Sequence, residues 1–342
     1  MHQSIRHLCS AFWLSSALLV GQPAFAANEA KVKAHIEVAE RAAGDDLKAF
    51  LRLCQPAPVD RPTVSDEALA KLIATPGPDA SAAFDNLFYL GSGWVSAWAL
   101  KTTDGFVLID ALNTADEVDR LVVGGMKRLG LDPTQIKVVL VTHGHGDHYG
   151  GALRVKEVAA ASQPKIVMSE LDWTMTRFQL EFASPLWPAP PSFDKQRDLA
   201  VRDGDVLRHG DAQILLPLTP GHTMGTISPI IEVKTGAKTY RAVIWGGTGF
   251  NFGRDFTRLD AYIRSTERMQ QLVREHRVEV LLSNHPSFDS TVAKLNQLSS
   301  ARLADAPHPF VVGTDAVLRA LTVAGECARA NRARFEMLLM PK

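Results

Sequence analysis

The sequence predicts an α/β protein built as a four-layer αββα sandwich, in which two β-sheets lie face to face and helices cover their outer surfaces. Two observations support this prediction. Each half of the chain runs through strands first and a helix afterwards, and in both halves side chains that can bind metal ions lie at strand ends. Layered sandwiches of this kind bury one apolar face of every sheet and helix. At 342 residues, the chain has ample material for such a core.

The composition is that of an ordinary soluble globular protein, with 46% hydrophobic and 22% charged residues. Lys and Arg together number 37, and so do Asp and Glu. No overall electric field would therefore recruit nucleic acid or an anionic membrane. We expect a monomer that acts on a small-molecule substrate and has no nucleic-acid partner.

Residues 1–26 are predicted to be a secretory signal peptide. A short basic segment is followed by the apolar stretch Leu8–Val20 and by the small-residue site Ala24-Phe25-Ala26. The apolar stretch is short for a bilayer core of about 30 Å, although an uncleaved anchor is the alternative. We therefore expect a periplasmic or secreted protein with no stable membrane association after cleavage.

Cleavage would remove Cys9 and leave only two cysteines, Cys54 and Cys327. In an oxidising compartment such a lone pair is a candidate disulfide. The alternative is two buried free thiols, because sequence alone does not show whether the two Cα atoms come within bridging distance.

The remaining chain divides into three predicted regions. Residues 27–83 form an N-terminal helix, over residues 28–54, and an extended wrap from Gln55 to Ala83 that contains five prolines. Residues 84–305 form the catalytic domain, and residues 306–342 form a C-terminal helix packed on the same domain.

In the first half of the catalytic domain, strands and helices alternate after an initial hairpin. A helix begins after Thr114, with Glu117 at the capping-box spacing. The predicted elements are strands Val95–Lys101 and Phe106–Asp110, helix Thr114–Leu129, strand Lys137–Thr142, helix Ala152–Ala161, strand Lys165–Met168 and helix Glu170–Phe178.

A long loop, Glu181–Asp198, with four prolines and several aromatic residues, separates the two halves. The aromatic residues of this loop and two from the preceding helix would form an apolar lid over the site. The alternative is that they pack the loop against the core. These residues are Trp173, Phe178, Phe182, Trp187 and Phe193. The elements predicted after the loop are strands Gln213–Leu218, Ile227–Lys234 and Thr239–Trp245, helix Arg258–Arg274, strand Val278–Ser283, and helices Thr291–Leu303 and Asp315–Leu339.

The segment His143-Gly144-His145-Gly146-Asp147-His148 holds four potential metal ligands within six residues, directly after a buried strand. Its two glycines let the backbone fold back on itself, so His143 and His145 can converge on one ion while Asp147 and His148 turn toward a second. Imidazole and carboxylate groups are ligands that Zn²⁺ accepts, and a catalytic zinc needs only three from the protein. Packing does not explain this motif, because four unpaired polar groups are costly in a core.

Two further histidines complete the predicted set. His222 lies in a glycine-bracketed loop after a strand, and His285 lies at the end of another strand. Each alone would be weak support, but together with the preceding motif they supply a third ligand for each ion. The sequence therefore predicts two zinc ions per chain.

This arrangement resembles the metallo-β-lactamase superfamily over about Asn86 to Ser290, and the H-x-H-x-D-H motif is highly specific for it. The resemblance implies the αββα fold with the metal site at the shared edge of the two sheets. It also implies the ligand sets: His143, His145 and His222 for the first zinc, and Asp147, His148 and His285 for the second. Asp110 resembles the carboxylate that braces the metal loop in this superfamily; the alternative is a plain strand-end cap.

One position separates the branches of the superfamily. Thioesterases, lactonases and RNA-processing nucleases of this fold carry a bridging Asp after a strand like Thr239–Trp245, where this chain has Thr248. The chain is in this respect similar to the third subclass of metallo-β-lactamases, whose second zinc is held by Asp, His and His. It departs from that subclass at Phe250, where a substrate-binding serine often stands. Thr248 and Asn251 are the expected substrate-binding residues.

The predicted function is that of a metallo-β-lactamase. Two zinc ions would lower the pKa of bound water from 15.7 to about 7, giving a hydroxide that opens the β-lactam ring, and they would polarise the carbonyl. Asp147 is the predicted catalytic residue, orienting the attacking water. The alternative is a hydrolase of the same fold acting on a lactone, a thioester or a cyclic amide. A non-catalytic binding protein is disfavoured because all six ligands are present.

Overall fold

A computed structural model describes residues 21–299 and 306–339 of the chain, with side chains from residue 26 onward. The predicted apolar stretch of the signal peptide, Leu8–Val20, lies outside these residues. Within the described ranges, no helix combines the length and the apolar character that a membrane crossing requires.

The first of two β-sheets contains seven strands in chain order, antiparallel from β1 to β4 and parallel from β4 to β7. They are β1 (Ser81–Phe84), β2 (Leu87–Tyr89), β3 (Trp98–Thr102), β4 (Gly105–Ile109), β5 (Ile136–Leu140), β6 (Lys165–Ser169) and β7 (Leu199–Val201).

The second sheet has five strands in the order β12-β11-β10-β9-β8, and only the β11–β12 pair is parallel. They are β8 (Asp205–His209), β9 (Ala212–Leu216), β10 (Ile230–Thr235), β11 (Lys238–Trp245) and β12 (Val278–Ser283).

Alternation along the strands produces the layers. In β4, Val107 and Ile109 belong to the core between the two sheets, whereas Phe106 and Leu108 belong to the core under the outer helices. Successive side chains of a strand point to opposite faces, so a strand buried on both faces is apolar throughout. The predicted αββα sandwich is confirmed.

The helices lie on the outer faces of the sheets and in the connections. They are α1 (Gly21–Ala43), α2 (Asp66–Ile73), α3 (Ala115–Glu117), α4 (Gly124–Arg128), α5 (Gly146–Tyr149), α6 (Ala152–Val158), α7 (Glu170–Phe178), α8 (Phe256–His276), α9 (Thr291–Ser299) and α10 (Thr314–Met337). A π-helical segment, Val118–Val123, joins α3 to α4 and completes the helix predicted from Thr114. Thr114 caps it as expected, accepting a hydrogen bond from the Glu117 amide at 3.2 Å.

The N-terminal and C-terminal segments are joined over the second sheet. α1 packs against α10, and α10 packs against α8. The predicted Cys54–Cys327 disulfide is confirmed, with the two Cα atoms 4.3 Å apart. Beside it, Asn331 of α10 donates a hydrogen bond to the Leu53 carbonyl at 3.0 Å.

Two N-terminal predictions need correction. The helix expected over residues 28–54 ends at Ala43 because Gly44 takes a left-handed φ of 53°, and a 3₁₀-helix over Lys48–Cys54 follows. The expected extended wrap, Gln55–Ala83, is interrupted by α2. Ser65 starts this helix by accepting a hydrogen bond from the Ala68 amide at 3.2 Å, a local capping signal that overrides the surrounding prolines.

The strand predictions miss four short strands, β1, β2, β7 and β8. These strands have three to five residues, and β8 exposes most of its side chains, so the apolar pattern is too brief to detect. The long loop between Phe178 and Leu199 contains no helix or strand, as predicted.

Candidate metal centre

The six predicted metal ligands meet at one edge of the sandwich. The segment 143–148 follows β5 and turns into the short helix α5; the loop between β9 and β10 carries His222; and His285 follows β12. His143, His145 and His148 are at most 3% exposed. Such buried imidazoles need polar partners, because an unpaired polar group costs free energy in a core.

The ligand atoms form two overlapping groups. Those of His143, His145 and His222 lie within 4.8 Å of one another, and so do those of His143, Asp147 and His148. His285 completes the second set from the side, with its Nε2 atom 3.7 Å from Asp147 Oδ2. His143 therefore lies between the two sets.

Each of the five histidine rings has one nitrogen bound to an oxygen acceptor outside the cluster. Carbonyl and carboxylate oxygens only accept, so the outer nitrogen carries a proton and the inner nitrogen is the one that a metal ion would bind. The pairs are His143 Nδ1 to Gly246 O (2.7 Å), His222 Nδ1 to Gly249 O (2.7 Å), His285 Nδ1 to Trp94 O (2.7 Å), His148 Nδ1 to Asp110 Oδ2 (2.8 Å) and His145 Nε2 to Glu181 Oε2 (3.1 Å).

These inner nitrogens fit metal ions. The Nε2 atoms of His143 and His222 lie 3.1 Å apart, and two lone pairs at that distance repel unless a cation lies beside them. The Nε2 atom of His148 is buried and lies 3.3 Å from Asp147 Oδ2, another atom of the donor set. Five imidazole nitrogens and one carboxylate are a donor set suited to zinc.

The two sets differ in charge. Burial, reinforced by the neighbouring histidines, holds the pKa values of His143 and His222 well below the ordinary histidine value. Burial also lowers the pKa of His148, but the Asp147 and Asp110 carboxylates outweigh it and raise that pKa to about 10. For Asp147, burial raises the pKa, but the charge on His148 outweighs burial and the pKa lies well below its usual range. Without metal, the second set thus keeps a proton on His148.

Asp110 occupies the position that the resemblance implied for a bracing carboxylate. Its Oδ1 atom accepts from the Thr142 amide at 2.7 Å, and its Oδ2 atom accepts from His148 Nδ1 at 2.8 Å. Asp110 has a left-handed φ of 60°, which costs free energy for a residue with a side chain. The sharp bend at the end of β4 directs this carboxylate to His148.

Asp172, at the start of α7, has a role that the sequence did not suggest. Its carboxylate accepts from the Gly144 amide at 2.8 Å, from the Thr223 hydroxyl at 2.7 Å and from the Gly225 amide at 3.0 Å. It thereby joins the metal-binding segment to the loop of His222. The capping spacing of Ser169 and Asp172 was the only available signal, and it indicates a helix start rather than a bridge.

Asn284 was also missed, although it directly precedes His285. Its Nδ2 atom donates to the Gly246 carbonyl at 2.6 Å, the same oxygen that accepts from His143. This contact fixes the carbonyl that orients the His143 ring. The Ser283-Asn284-His285 sequence drew attention only to the histidine.

A cavity of about 350 Å³ opens onto the cluster. Its lining combines ligands, polar residues and apolar side chains: Arg52, Pro62, Val64, Leu69, Leu72, Trp94, His145, Asp147, Phe182, Trp187, His222, Gly249, Asn251, His285, Ser287 and Phe288. This volume suits a small molecule. The segment of α2, expected to be a plain wrap, forms an apolar wall.

The aromatic residues expected in a lid divide into two groups. Phe182 and Trp187 line the cavity, and a Cβ atom added at Gly146 would lie 2.3 Å from the Trp187 ring, so that ring lies directly against the metal-binding segment. Trp173 is buried and packs against Phe193 with the ring planes tilted by 51°, as the packing alternative proposed, while Phe178 is 71% exposed.

The two expected substrate-binding residues also differ. Thr248 is 1% exposed, does not line the cavity, and has its hydroxyl 3.4 Å from Ser283 Oγ, so the expected substrate contact is not supported. Its backbone carbonyl accepts a hydrogen bond from the Tyr262 hydroxyl at 3.0 Å. Asn251 lines the cavity, and its Oδ1 atom is buried without a hydrogen-bond partner.

Comparison with known families agrees with this geometry. Residues 91–235 match the metallo-beta-lactamase superfamily. An acyl-coenzyme A thioesterase, MBLAC2 of Bos taurus, is 26% identical over 212 residues, which cover 58% of this chain and 75% of the relative. A hydroxyacylglutathione hydrolase of Chelativorans sp. (strain BNC1) is 32% identical over 122 residues, covering 35% of this chain and 37% of the relative.

Among solved structures, BJP-1, a subclass B3 metallo-beta-lactamase of Bradyrhizobium japonicum, is similar with a TM-score of 0.59 and 23% identity. That similarity covers 72% of this chain and 90% of BJP-1. The FEZ-1 metallo-beta-lactamase from Legionella gormanii has a TM-score of 0.61 and 21% identity, covering 78% of this chain and 97% of FEZ-1. At these identities the structures show the fold. The match of residues 91–235 confirms the predicted resemblance to the metallo-β-lactamase superfamily.

Proposed function

Starting from this metallo-β-lactamase fold, we propose that the chain is a two-zinc hydrolase that opens a β-lactam ring. The observation that carries the proposal is the second ligand set of Asp147, His148 and His285, together with a neutral, buried Thr248 where other branches place a bridging Asp. The similarity of the fold to β-lactamases of subclass B3 supports the same substrate.

His143, His145 and His222 would hold one zinc, and Asp147, His148 and His285 would hold the other. When bound, the two ions supply a Lewis acid for the substrate carbonyl and lower the pKa of a water molecule. The Asp147 carboxylate, ionised because its pKa is low, accepts a hydrogen bond from the attacking water and orients it.

The cavity walls would bind the rest of the substrate. Phe182 and Trp187 exclude water from one side, and the Asn251 side chain also lines the cavity. We propose a small-molecule substrate for a monomer in the periplasm or outside the cell.

A thioester with an apolar acyl group is the second candidate. The wall formed by Val64, Leu69 and Leu72 suits an aliphatic chain, and the matched relative from Bos taurus is an acyl-coenzyme A thioesterase. The neutral Thr248 counts against this candidate, because thioesterases of this fold carry a bridging carboxylate at the corresponding position.

A parallel assay would test the proposal. The zinc-loaded protein would be given a penicillin, a carbapenem, a lactone and a long-chain acyl thioester, with Asp147→Asn as the inactive variant and exposed Asp116→Asn as the control. We expect the highest kcat/KM for one of the two β-lactams. A preference for the thioester or the lactone, lost in Asp147→Asn, would overturn the β-lactamase proposal and retain the hydrolase.

A further inference from the structure

We infer that Glu181 and Arg258 form a buried positioning pair that holds His145, and with it the first zinc, in place. This inference rests on the proposed zinc binding but not on the identity of the substrate. It concerns two residues that the ligand motif does not include, one from the long loop after α7 and one from α8.

Glu181 contacts His145 directly. Glu181 Oε2 lies 3.1 Å from His145 Nε2, and both side chains are at most 11% exposed. A carboxylate can only accept this hydrogen bond, so Nε2 carries the proton and Nδ1 is left as the donor atom toward the metal. The other four histidines of the cluster present the opposite nitrogen, since their Nδ1 atoms bind the outer oxygens.

Glu181 is itself held in place by Arg258. A buried carboxylate is costly unless it is paired, and Arg258 NH1 donates to Glu181 Oε1 at 2.8 Å. Arg258 is 5% exposed, and its guanidinium lies over the Phe252 ring at 4.5 Å. The pair is therefore held by packing as well as by charge, and Glu181 has little freedom to leave His145.

Arg258 also connects the pair to the loop of a second predicted zinc ligand. Arg258 Nε donates to the Gly221 carbonyl at 2.8 Å, and Gly221 directly precedes His222. One guanidinium thus joins the long loop that carries Glu181 to the loop that carries His222. Arg258 and Glu181 consequently act on two of the three ligands of the first zinc and on none of the second set.

The pair acts by aligning the His145 lone pair with the metal. Removing a partner outside the ligand shell typically weakens metal affinity by about 10- to 100-fold. A lysine at position 258 would keep the charge but lack the fork that bonds both Glu181 and the Gly221 carbonyl. Its effect should therefore be smaller than that of removing the carboxylate.

The test uses the full chain, with the affinity of each of the two zinc sites measured by competition with a chromophoric chelator. The variants are Glu181→Gln, which keeps the shape, Glu181→Asp, which keeps the charge, and Arg258→Lys. Glu170→Gln is the matched control, because Glu170 forms a comparable 2.8 Å pair with Arg202 on the surface. The absorption spectrum of the cobalt-substituted protein reports on coordination of the first site.

We expect Glu181→Gln to weaken the first site by about 10- to 100-fold and to change the cobalt spectrum, with the second site within about twofold of the parent. Glu181→Asp should recover part of the loss, and Arg258→Lys should have an intermediate effect.

Unchanged affinity of the first site in Glu181→Gln would overturn the inference. Equal weakening of both sites, with a lower melting temperature of the metal-free protein, would also overturn it by indicating a merely structural role. If Glu181→Gln does not fold, Glu181→Asp and Arg258→Lys carry the same comparison. No readout uses a substrate, so failure of the β-lactamase proposal would be seen separately.

Discussion

The two ligand sets of the metal centre share an edge of the sandwich but differ in how the protein prepares them. The first set consists of three histidines, and burial keeps His143 and His222 neutral at ordinary pH. Two of the three bind backbone carbonyls through their outer nitrogens. In the second set, the Asp147 carboxylate and the supporting Asp110 keep a proton on His148, whose pKa is about 10.

This difference indicates two modes of metal binding. In the first set, His143 and His222 can bind a cation without losing a proton, because burial keeps both rings neutral and leaves a free lone pair on the inner nitrogen. The second set holds a cationic imidazole in the absence of metal, and a zinc ion must displace that proton. We therefore expect the first site to fill before the second, and each prediction below tests this ranking.

The largest effect should follow removal of a ligand of the second set. His285→Ala should reduce zinc content toward one ion per chain and lower kcat by at least about 100-fold, while the first site remains filled. Elemental analysis after dialysis against zinc would measure the content, with the partly exposed His209→Ala, whose ring contacts the Asp104 carbonyl, as the control. Two zinc ions and full activity in His285→Ala would show that the second set is assigned wrongly.

A smaller effect is expected for the bracing carboxylate. Asp110→Asn should weaken the second site by about 10- to 100-fold, because the amide no longer fixes the His148 ring by charge, and should leave the first site nearly unchanged. Chelator competition measures both sites in one titration. Equal weakening of the two sites would contradict the separation between the sets.

The sequence supported the prediction of the ligands themselves better than that of their supports. His143, His145, Asp147 and His148 are contiguous, so their convergence follows from one strand end and two glycines. The layers were also predictable, because strands buried on both faces give apolar runs. The structure brings His222 and His285 to the same edge, as expected from strands that end there.

Supports such as Asp172, Glu181 and Arg258 had no comparable signal. Glu181 and Arg258 are 77 residues apart, and a charged residue at a loop start or in a helix is usually solvent-exposed. The burial of Thr248, which is 1% exposed, likewise depends on tertiary packing around it. Pairing of distant residues depends on packing, which local sequence patterns do not encode.

The protonation difference predicts a pH dependence. At pH 7, His143 and His222 should release almost no protons when the first zinc binds, whereas binding of the second zinc should release about one, from His148. The affinity of the second site should then rise about tenfold per pH unit up to pH 10, because the competing proton becomes easier to remove. Calorimetric titrations in buffers with different ionisation enthalpies would count the protons. Equal release by the two ions would remove the basis for ranking the sites.

The smallest effect on the metal centre should come from the disulfide, which lies in the core shared by the second sheet and the helices that cover it. Cys54 and Cys327 close a loop with a sequence separation of 273 residues, so breaking the bond lets the unfolded chain expand. The chain-entropy model gives on the order of 5 kcal/mol, which is an upper bound because unfolded chains retain structure. The double variant Cys54→Ser/Cys327→Ser should lower the melting temperature yet leave the difference between the two zinc affinities within about twofold, since neither cysteine lines the cavity at the cluster. Denaturant unfolding and chelator competition on the same preparation measure both quantities. If the double variant weakened zinc binding at the second site alone, the low affinity of that site would depend on the rigidity of the whole fold. The charge of His148 would then no longer explain that low affinity.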